Sequence, residues 1–339
     1  MAVRERMRYL SSVGFQLYVS QLLSVIEKGT LSDKEFNDLA LQLFVLQREH
    51  NAAYRVLCQG RKEARSWEEV PAVPTAAFKE LELTSIPPGE RIKEFRSSGT
   101  TGQKPSRHFH STESLRVYDA SLGPPLKEHF FADEMIPITL TPNRDDAPYS
   151  SLVHMFCTLN PFGFGQRDWT VSTSMFRKNV EPVKEPIALM GTAFNFVNLI
   201  DEIRSLQLPS GSRILETGGY KGRSREVSRK ELHEMIRGAF GVSDIVMEYG
   251  MCELSSQAYA HEDGIFHFPA WARVQIVSPE NGREVKDGET GLVRVFDLAN
   301  VWSVMAVQTE DLGVRRGHGF ELVGRASGAE ARGCSLMSR

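Results

Sequence analysis

The 339-residue sequence has few cysteines and no pairing among them: Cys58, Cys157, Cys252 and Cys334 lie far apart, and no two form a CxxC spacing. That argues against a disulfide scaffold or a zinc ribbon and for free thiols in a reducing compartment. No apolar run is long enough to span a bilayer. The stretch after Arg4, Arg6 and Arg8 is interrupted by Gln16, Ser20, Gln21 and Ser24, which reads as an amphipathic helix and not as a signal-peptide core. A cytoplasmic protein is expected. An excess of one charge is also missing, since 40 Lys and Arg stand against 43 Asp and Glu, net −3. This speaks against a strongly basic nucleic-acid binder. Sixteen Pro and 27 Gly are scattered along the chain, neither in runs longer than pairs such as Pro124-Pro125 and Gly218-Gly219, without low-complexity blocks or a fixed repeat. With 41% hydrophobic and 24% charged residues the composition is globular. At roughly 150 residues per domain the length allows about two domains.

The organisation changes along the chain. Residues 1 to about 60 read as helical: Ser32 and Glu35 form a capping-box pair, followed by Phe36, Leu39, Leu43 and Leu46 at helical spacing. Gly60 and the proline-punctuated Val70-Pro71-Ala72-Val73-Pro74 close this region, and 1–85 is taken as a helical N-terminal region. From about residue 135 short apolar runs alternate with helices. Ile187–Met190, Arg213–Thr217 and Asp244–Glu248 are expected strands. A helix over Phe194–Ile203 and a second one, opened by Ser228 and Glu231 and closed by Gly241, separate them. Such alternation implies a parallel sheet with ligands beyond the carboxyl ends of its strands, where Gly191, Gly218-Gly219 and Tyr249-Gly250 stand. After about residue 268 the helical pattern ends. Ala272–Val277, Leu292–Phe296, Val304–Gln308 and Phe320–Val323 predict a small antiparallel β-region. The fold class is thus α/β, with a core over 86–324 and, over 325–339, small, polar and charged residues that read as a flexible tail.

The densest chemical signal is Ser97-Ser98-Gly99-Thr100-Thr101-Gly102-Gln103-Lys104-Pro105-Ser106. Backbone N–H groups, hydroxyls, a lysine and glycines that permit close approach suit such a loop to wrap a triphosphate. It lacks the Walker A spacing, and an isolated run of this kind is more often a Gly/Ser/Thr turn with no ligand. Other constellations are absent or weak. There is no GxSxG elbow. Cys252, Glu253, His261 and His267 match no standard metal spacing. His108, His110 and His154 are either neighbours of an acyl or phosphate pocket or ordinary satisfied side chains.

The loop does not stand alone. Gly218-Gly219, Tyr249-Gly250-Met251-Cys252-Glu253, Thr309-Glu310-Asp311-Leu312-Gly313 and Gly324-Arg325 follow it in order. This succession resembles the adenylate-forming enzymes, the superfamily of acyl-CoA synthetases, peptide-synthetase adenylation domains and luciferases. Within it, Pro74-Thr75-Ala76-Ala77-Phe78-Lys79, Glu216-Thr217-Gly218-Gly219-Tyr220-Lys221-Gly222-Arg223-Ser224-Arg225-Glu226 and Glu253-Leu254-Ser255-Ser256-Gln257 look like the acyl-protein synthetases of the LuxE type. So do Asp297-Leu298-Ala299-Asn300 and the stretch from Arg325 to Cys334. The resemblance runs from about residue 70 to the last residue.

The resemblance implies a cytoplasmic ATP- and Mg2+-dependent ligase that converts a carboxylic acid, in that family a long-chain fatty acid, to acyl-AMP. The acyl group then passes to a cysteine near the C-terminus and on to an acyl-carrier or acyl-reductase protein. Carried over by position, Ser97, Ser98, Gly99, Thr100, Thr101 and Gly102 would hold phosphates. Tyr249 would stack on adenine, with Gly218 and Gly219 lining the base pocket. Glu253 would hold Mg2+, Asp311 the ribose hydroxyls and Arg325 ribose or phosphate; Cys334 would take the acyl group as a thioester. Two departures stand out. Cys252 replaces the threonine usual in the family, and a thiol is the weaker donor. After Arg325, where larger relatives carry a lid domain with a catalytic lysine, the sequence runs only to Arg339, and no lysine follows Lys286. A full lid domain is therefore not expected, and Lys221, Arg223 and Arg225 are the candidate replacement cations or, alternatively, a docking patch for an acidic carrier protein. Two other functions stay open: a coenzyme A ligase of the phenylacetate type, for which Cys334 is dispensable, and a catalytically degenerate scaffold subunit.

Overall fold

The computed structural model describes residues 2–98, 104–219 and 227–326, with side chains from residue 13 onward. Five parallel strands and one antiparallel edge form the central sheet, in the order Phe162–Gly163, Ile136–Thr139, Ile187–Thr192, Arg213–Thr217, Ile245–Tyr249, Ala258–Ala260. All six residues of Ile187–Thr192 and all five of Ile245–Tyr249 are buried, which is why these strands read as largely apolar runs, with Glu248 the one charged residue in the second. One face packs on the helices Ala193–Ile203 and Arg229–Phe240 through Leu189, Phe196, Ile214, Leu232, Ile236 and Ile245. The other packs on Thr112–His129 and Ser151–Cys157 through Tyr118, Leu122, Phe156, Met190, Leu215 and Val246. At about 1.5–3 kcal/mol for each fully buried large apolar side chain, these two layers hold the strand ends rigid.

The helices stop where local chemistry stops them. Ser228 accepts from the Glu231 N–H at the start of Arg229–Phe240, and Gly241 ends it with φ 68°. The second N-terminal helix, Asp33–His50, opens on the full Ser32/Glu35 capping box.

The C-terminal region is an antiparallel sheet in the order Ile265–Phe266, Gly319–Arg325, Ala306–Arg316, Thr290–Asp297, Ala272–Val277. Val73–Pro74 joins it, parallel to Ala306–Arg316. The strand expected over 304–308 starts at 306 and runs on to 316, and the one expected over 320–323 extends to 319–325. The N-terminal helices lie on this sheet: Tyr18, Leu22, Phe36, Leu43 and Phe44 share one core with Val293, Val295, Phe296, Val304 and Met305. A separate ribbon pairs Lys93–Arg96 with Arg107–His110 and carries the Ser97–Ser106 loop at its end. Among the described residues no helix is long and apolar enough to cross a membrane.

Candidate active site

The carboxyl ends of the parallel strands meet the antiparallel sheet, and Tyr249 stands at the junction. Its hydroxyl donates to Asp311 Oδ2 at 2.9 Å, while its ring is 3% exposed and set edge-on against Phe266 and Phe320. Asp311 lies opposite Arg325 in the register of the two long strands. Arg325 Nε is 3.2 Å from Asp311 Oδ1, and Nη2 donates to Glu310 Oε2 at 2.5 Å. Among the described residues, Nε makes no well-aligned hydrogen bond at that distance and the third nitrogen, Nη1, is buried without any hydrogen-bond partner. A buried unpaired donor costs about 1–3 kcal/mol, so this fork is suited to an oxygen-rich ligand. Beside it, Glu216, Gly218, Arg229, Tyr249, Phe266 and Leu322 border a small, partly open recess. Gly218 has φ 66°, a conformation that favours glycine at this wall.

Past the strand end the chain turns through Cys252 and Glu253, both buried, with Glu253 fully so. The Cys252 thiol lies 3.3 Å from Glu253 Oε2 and 4.0 Å from the Ser106 carbonyl. Cys252 is thus packed between the carboxylate and the base of the Ser97–Ser106 loop. That base is closed by two hydrogen bonds, Ser97 N–H to the Ser106 carbonyl at 3.1 Å and Ser106 N–H to Ser97 Oγ at 2.9 Å. Ser98 is exposed beyond it. Gly99, Thr100, Thr101 and Gly102 lie outside the described residues, as do Lys221, Arg223, Arg225 and Cys334.

The three histidines stand behind Cys252. His108 places Nδ1 2.8 Å from the Cys252 carbonyl, which can only accept, so this nitrogen carries the proton. Burial presses the His108 pKa down to about 4, leaving a neutral ring. His110 lies 4.4 Å away, centroid to centroid, and among the described residues its buried Nε2 has no hydrogen-bond partner. His154 faces Asp119 at 2.7 Å. The lead in the sequence was the alternation in Arg107–His110, which aims both His108 and His110 inward.

Residues without an assigned role in the sequence reading also converge here. Glu216 and Glu248 sit on neighbouring strands and face opposite sides of the sheet. Glu216 Oε2 is 3.4 Å from His233 Nε2, and Glu248 accepts from the Thr217 hydroxyl. Burial pushes Glu248 up to about 7; the Thr217 hydrogen bond opposes this and Glu216 adds to it. A Cβ at Gly250 would fall 2.3 Å from Glu248 Oε1, so only glycine lets this carboxyl fold back over the strand end. The visible signal was a carboxylate in each of two otherwise apolar strands. Among the described residues no group of three or more His, Cys, Asp or Glu side chains forms a metal site. Any cation here would rest on Glu253 together with ligand oxygens, a donor set that suits a hard ion.

The family model of LuxE acyl-protein synthetases matches residues 167–339. The long-chain-fatty-acid–luciferin-component ligase of Aliivibrio fischeri is 24% identical over 336 residues, covering 89% of this chain and 88% of that protein. The enzyme of the same name from Vibrio harveyi is 24% identical over 316 residues, covering 85% and 82%. Among solved structures, a 2-hydroxyisobutyryl-CoA ligase in its postadenylation state superposes with a TM-score of 0.69. It is 14% identical and covers 88% of this chain and 69% of that one, a likeness that shows the fold.

Proposed function

We propose, from the premise that the chain belongs to the LuxE acyl-protein synthetase family, that it joins a long-chain fatty acid to ATP and then to its own Cys334. In the first step a carboxylate oxygen attacks the α-phosphorus of ATP, the bond to the β-phosphate oxygen breaks, and pyrophosphate leaves. In the second the Cys334 thiolate attacks the acyl carbonyl. The C–O bond to AMP breaks, AMP departs, and the thiol's proton passes to solvent.

The observation that carries this reading is the Tyr249–Asp311–Arg325 junction with its buried Nη1, unpaired among the described residues. Asp311 accepts from ribose hydroxyls, Arg325 donates to ribose or phosphate oxygen, and Gly218, Gly219 and Tyr249 border the base. Residues 97–102 wrap the phosphates. Glu253 is the side chain that would hold Mg2+, which when bound neutralises phosphate charge. The fully buried carboxylate fits that ion. The neutral His108 fixes the Cys252 carbonyl, and so the turn that carries Glu253. Lys221 and Arg225 supply the cation for the first transition state.

The test is pyrophosphate release on incubation with ATP, Mg2+ and a panel of carboxylic acids. Release with long-chain acids, and none without acid, is expected. No release with any acid would leave a scaffold, and release coupled to free acyl-CoA would make it a coenzyme A ligase.

A further inference from the structure

Beyond its local contact with the Cys252 thiol, Glu253 is held by a turn nearly fifty residues away. The segment from Glu253 to Ser256 is clamped by the residues after the strand Thr290–Asp297. Asp297, fully buried, accepts from the backbone N–H groups of Ser255 and Ser256, both at 2.8 Å, from the Ser256 hydroxyl at 2.7 Å and from Ala299 N–H at 3.0 Å. Asn300, 1% exposed, accepts from the Ser255 hydroxyl at 2.6 Å. It donates Nδ2 to the Glu253 carbonyl at 2.8 Å and to the Val304 carbonyl at 3.1 Å. The side-chain amide of Asn300 thus grips the backbone of the very residue whose carboxylate faces the site.

This turn is gripped in its own right by the N-terminal helix Asp33–His50. Gln47, fully buried, donates Nε2 to the carbonyls of Asn300 and Val301 at 2.7 and 3.1 Å. Its Oε1 accepts from Met305 N–H at 3.0 Å. Burying two amides and a carboxylate costs several kcal/mol unless every polar atom is satisfied. A purely structural turn could have been packed with apolar side chains instead. We infer that Asn300 is a positioning residue for Glu253, and that Gln47 extends this support into the N-terminal helices. The chain Gln47–Asn300–Glu253 would set the carboxylate where a divalent cation on the nucleotide phosphates needs it. This rests on the reading of Glu253 as the carboxylate that holds the cation.

The test measures metal binding without turnover. Mn2+ replaces Mg2+, a non-hydrolysable α,β-methylene ATP is the nucleotide, and free Mn2+ is read by electron paramagnetic resonance on the full chain. Loss of a supporting hydrogen bond behind a metal ligand costs about 10–100-fold in affinity. Asn300→Ala should therefore weaken Mn2+ binding about tenfold while metal-free AMP binding stays within twofold of the parent. Gln47→Met should shift Mn2+ binding in the same direction by less. Ser303→Ala is the control: its hydroxyl donates to the Leu83 carbonyl at 2.9 Å, from the same turn but away from Glu253. It should lower thermal stability without changing Mn2+ affinity. Wild-type Mn2+ affinity in Asn300→Ala, or an equal loss in Ser303→Ala, would overturn the positioning role. Glu253→Gln separates the two levels. It should abolish the Mn2+ site, and if it binds Mn2+ like the parent, the assignment of Glu253 fails and the inference goes with it.

Discussion

The Tyr249 hydroxyl and the Asp311 carboxylate, 62 residues apart in sequence, meet at 2.9 Å and tie the end of the parallel sheet to the middle of the antiparallel one. A hydrogen bond to a charged group contributes about 1.5–3 kcal/mol. Asp311→Ala removes this bond, the partner of Arg325 and the proposed ribose anchor together. It should lower kcat/KM for ATP in pyrophosphate exchange by about one to two orders of magnitude. Tyr249→Phe keeps the ring against Phe266 and Phe320 and leaves Asp311 with Arg325, so its loss should be smaller. Equal, near-parent activity in both variants would detach this junction from the nucleotide.

Lys221 and Arg225 lie outside the described residues, and their assignment rests on sequence. If they supply the cation for the first transition state, Lys221→Ala or Arg225→Ala should lower kcat for acyl-AMP formation by tenfold or more, with KM for ATP nearly unchanged. A contact made only in the transition state behaves in this way. Steady-state kinetics with varied ATP check it. Unchanged adenylation with loss of transfer to an acceptor protein would make the loop a docking patch.

Glu248 gives a pH signature in stability. Its folded pKa, raised by burial to about 7, exceeds the ordinary carboxylate value, so the native state holds a proton that the unfolded chain releases. The contribution is full below the unfolded value near 4.5 and is lost as pH rises through 7, on the order of 3 kcal/mol at most. Glu248→Gln keeps the hydrogen bond to Thr217 and carries no charge. Denaturant melts should show the variant gaining on the parent from pH 5 to pH 8. Parallel stability curves for the two proteins would contradict this.

The layout of the parallel sheet was legible because fully buried strands leave apolar runs and capped helices leave Ser228 and Gly241 at their ends. The long strand Ala306–Arg316 was read short, since Thr309-Glu310-Asp311 and Gly313 look like a turn. They hold a strand because Asp311 pairs with Arg325 across the ladder and Thr309 donates to the Val293 carbonyl. The helix Thr112–His129 is illegible in the sequence because it contains Gly123, Pro124 and Pro125, which signal a break. Burial of Val117, Tyr118, Leu122 and Leu126 against the sheet outweighs it. Of the site, the order of motifs was visible. The grip of Gln47 on Asn300, across 253 positions, was not, because only the folded core brings such polar residues together.

The central claim is that acyl activation ends in a thioester on Cys334, and peptide mapping by mass spectrometry tests it most directly. After incubation with ATP, Mg2+ and a long-chain fatty acid, the acyl mass should sit on the peptide containing Cys334 and be released by hydroxylamine. In Cys334→Ser the acyl-enzyme should be absent while first-turnover pyrophosphate release persists, because a serine hydroxyl is a far weaker nucleophile than a thiolate. An acyl group on the Cys252 peptide, or an unmodified C-terminal peptide after pyrophosphate has been released, would contradict the account.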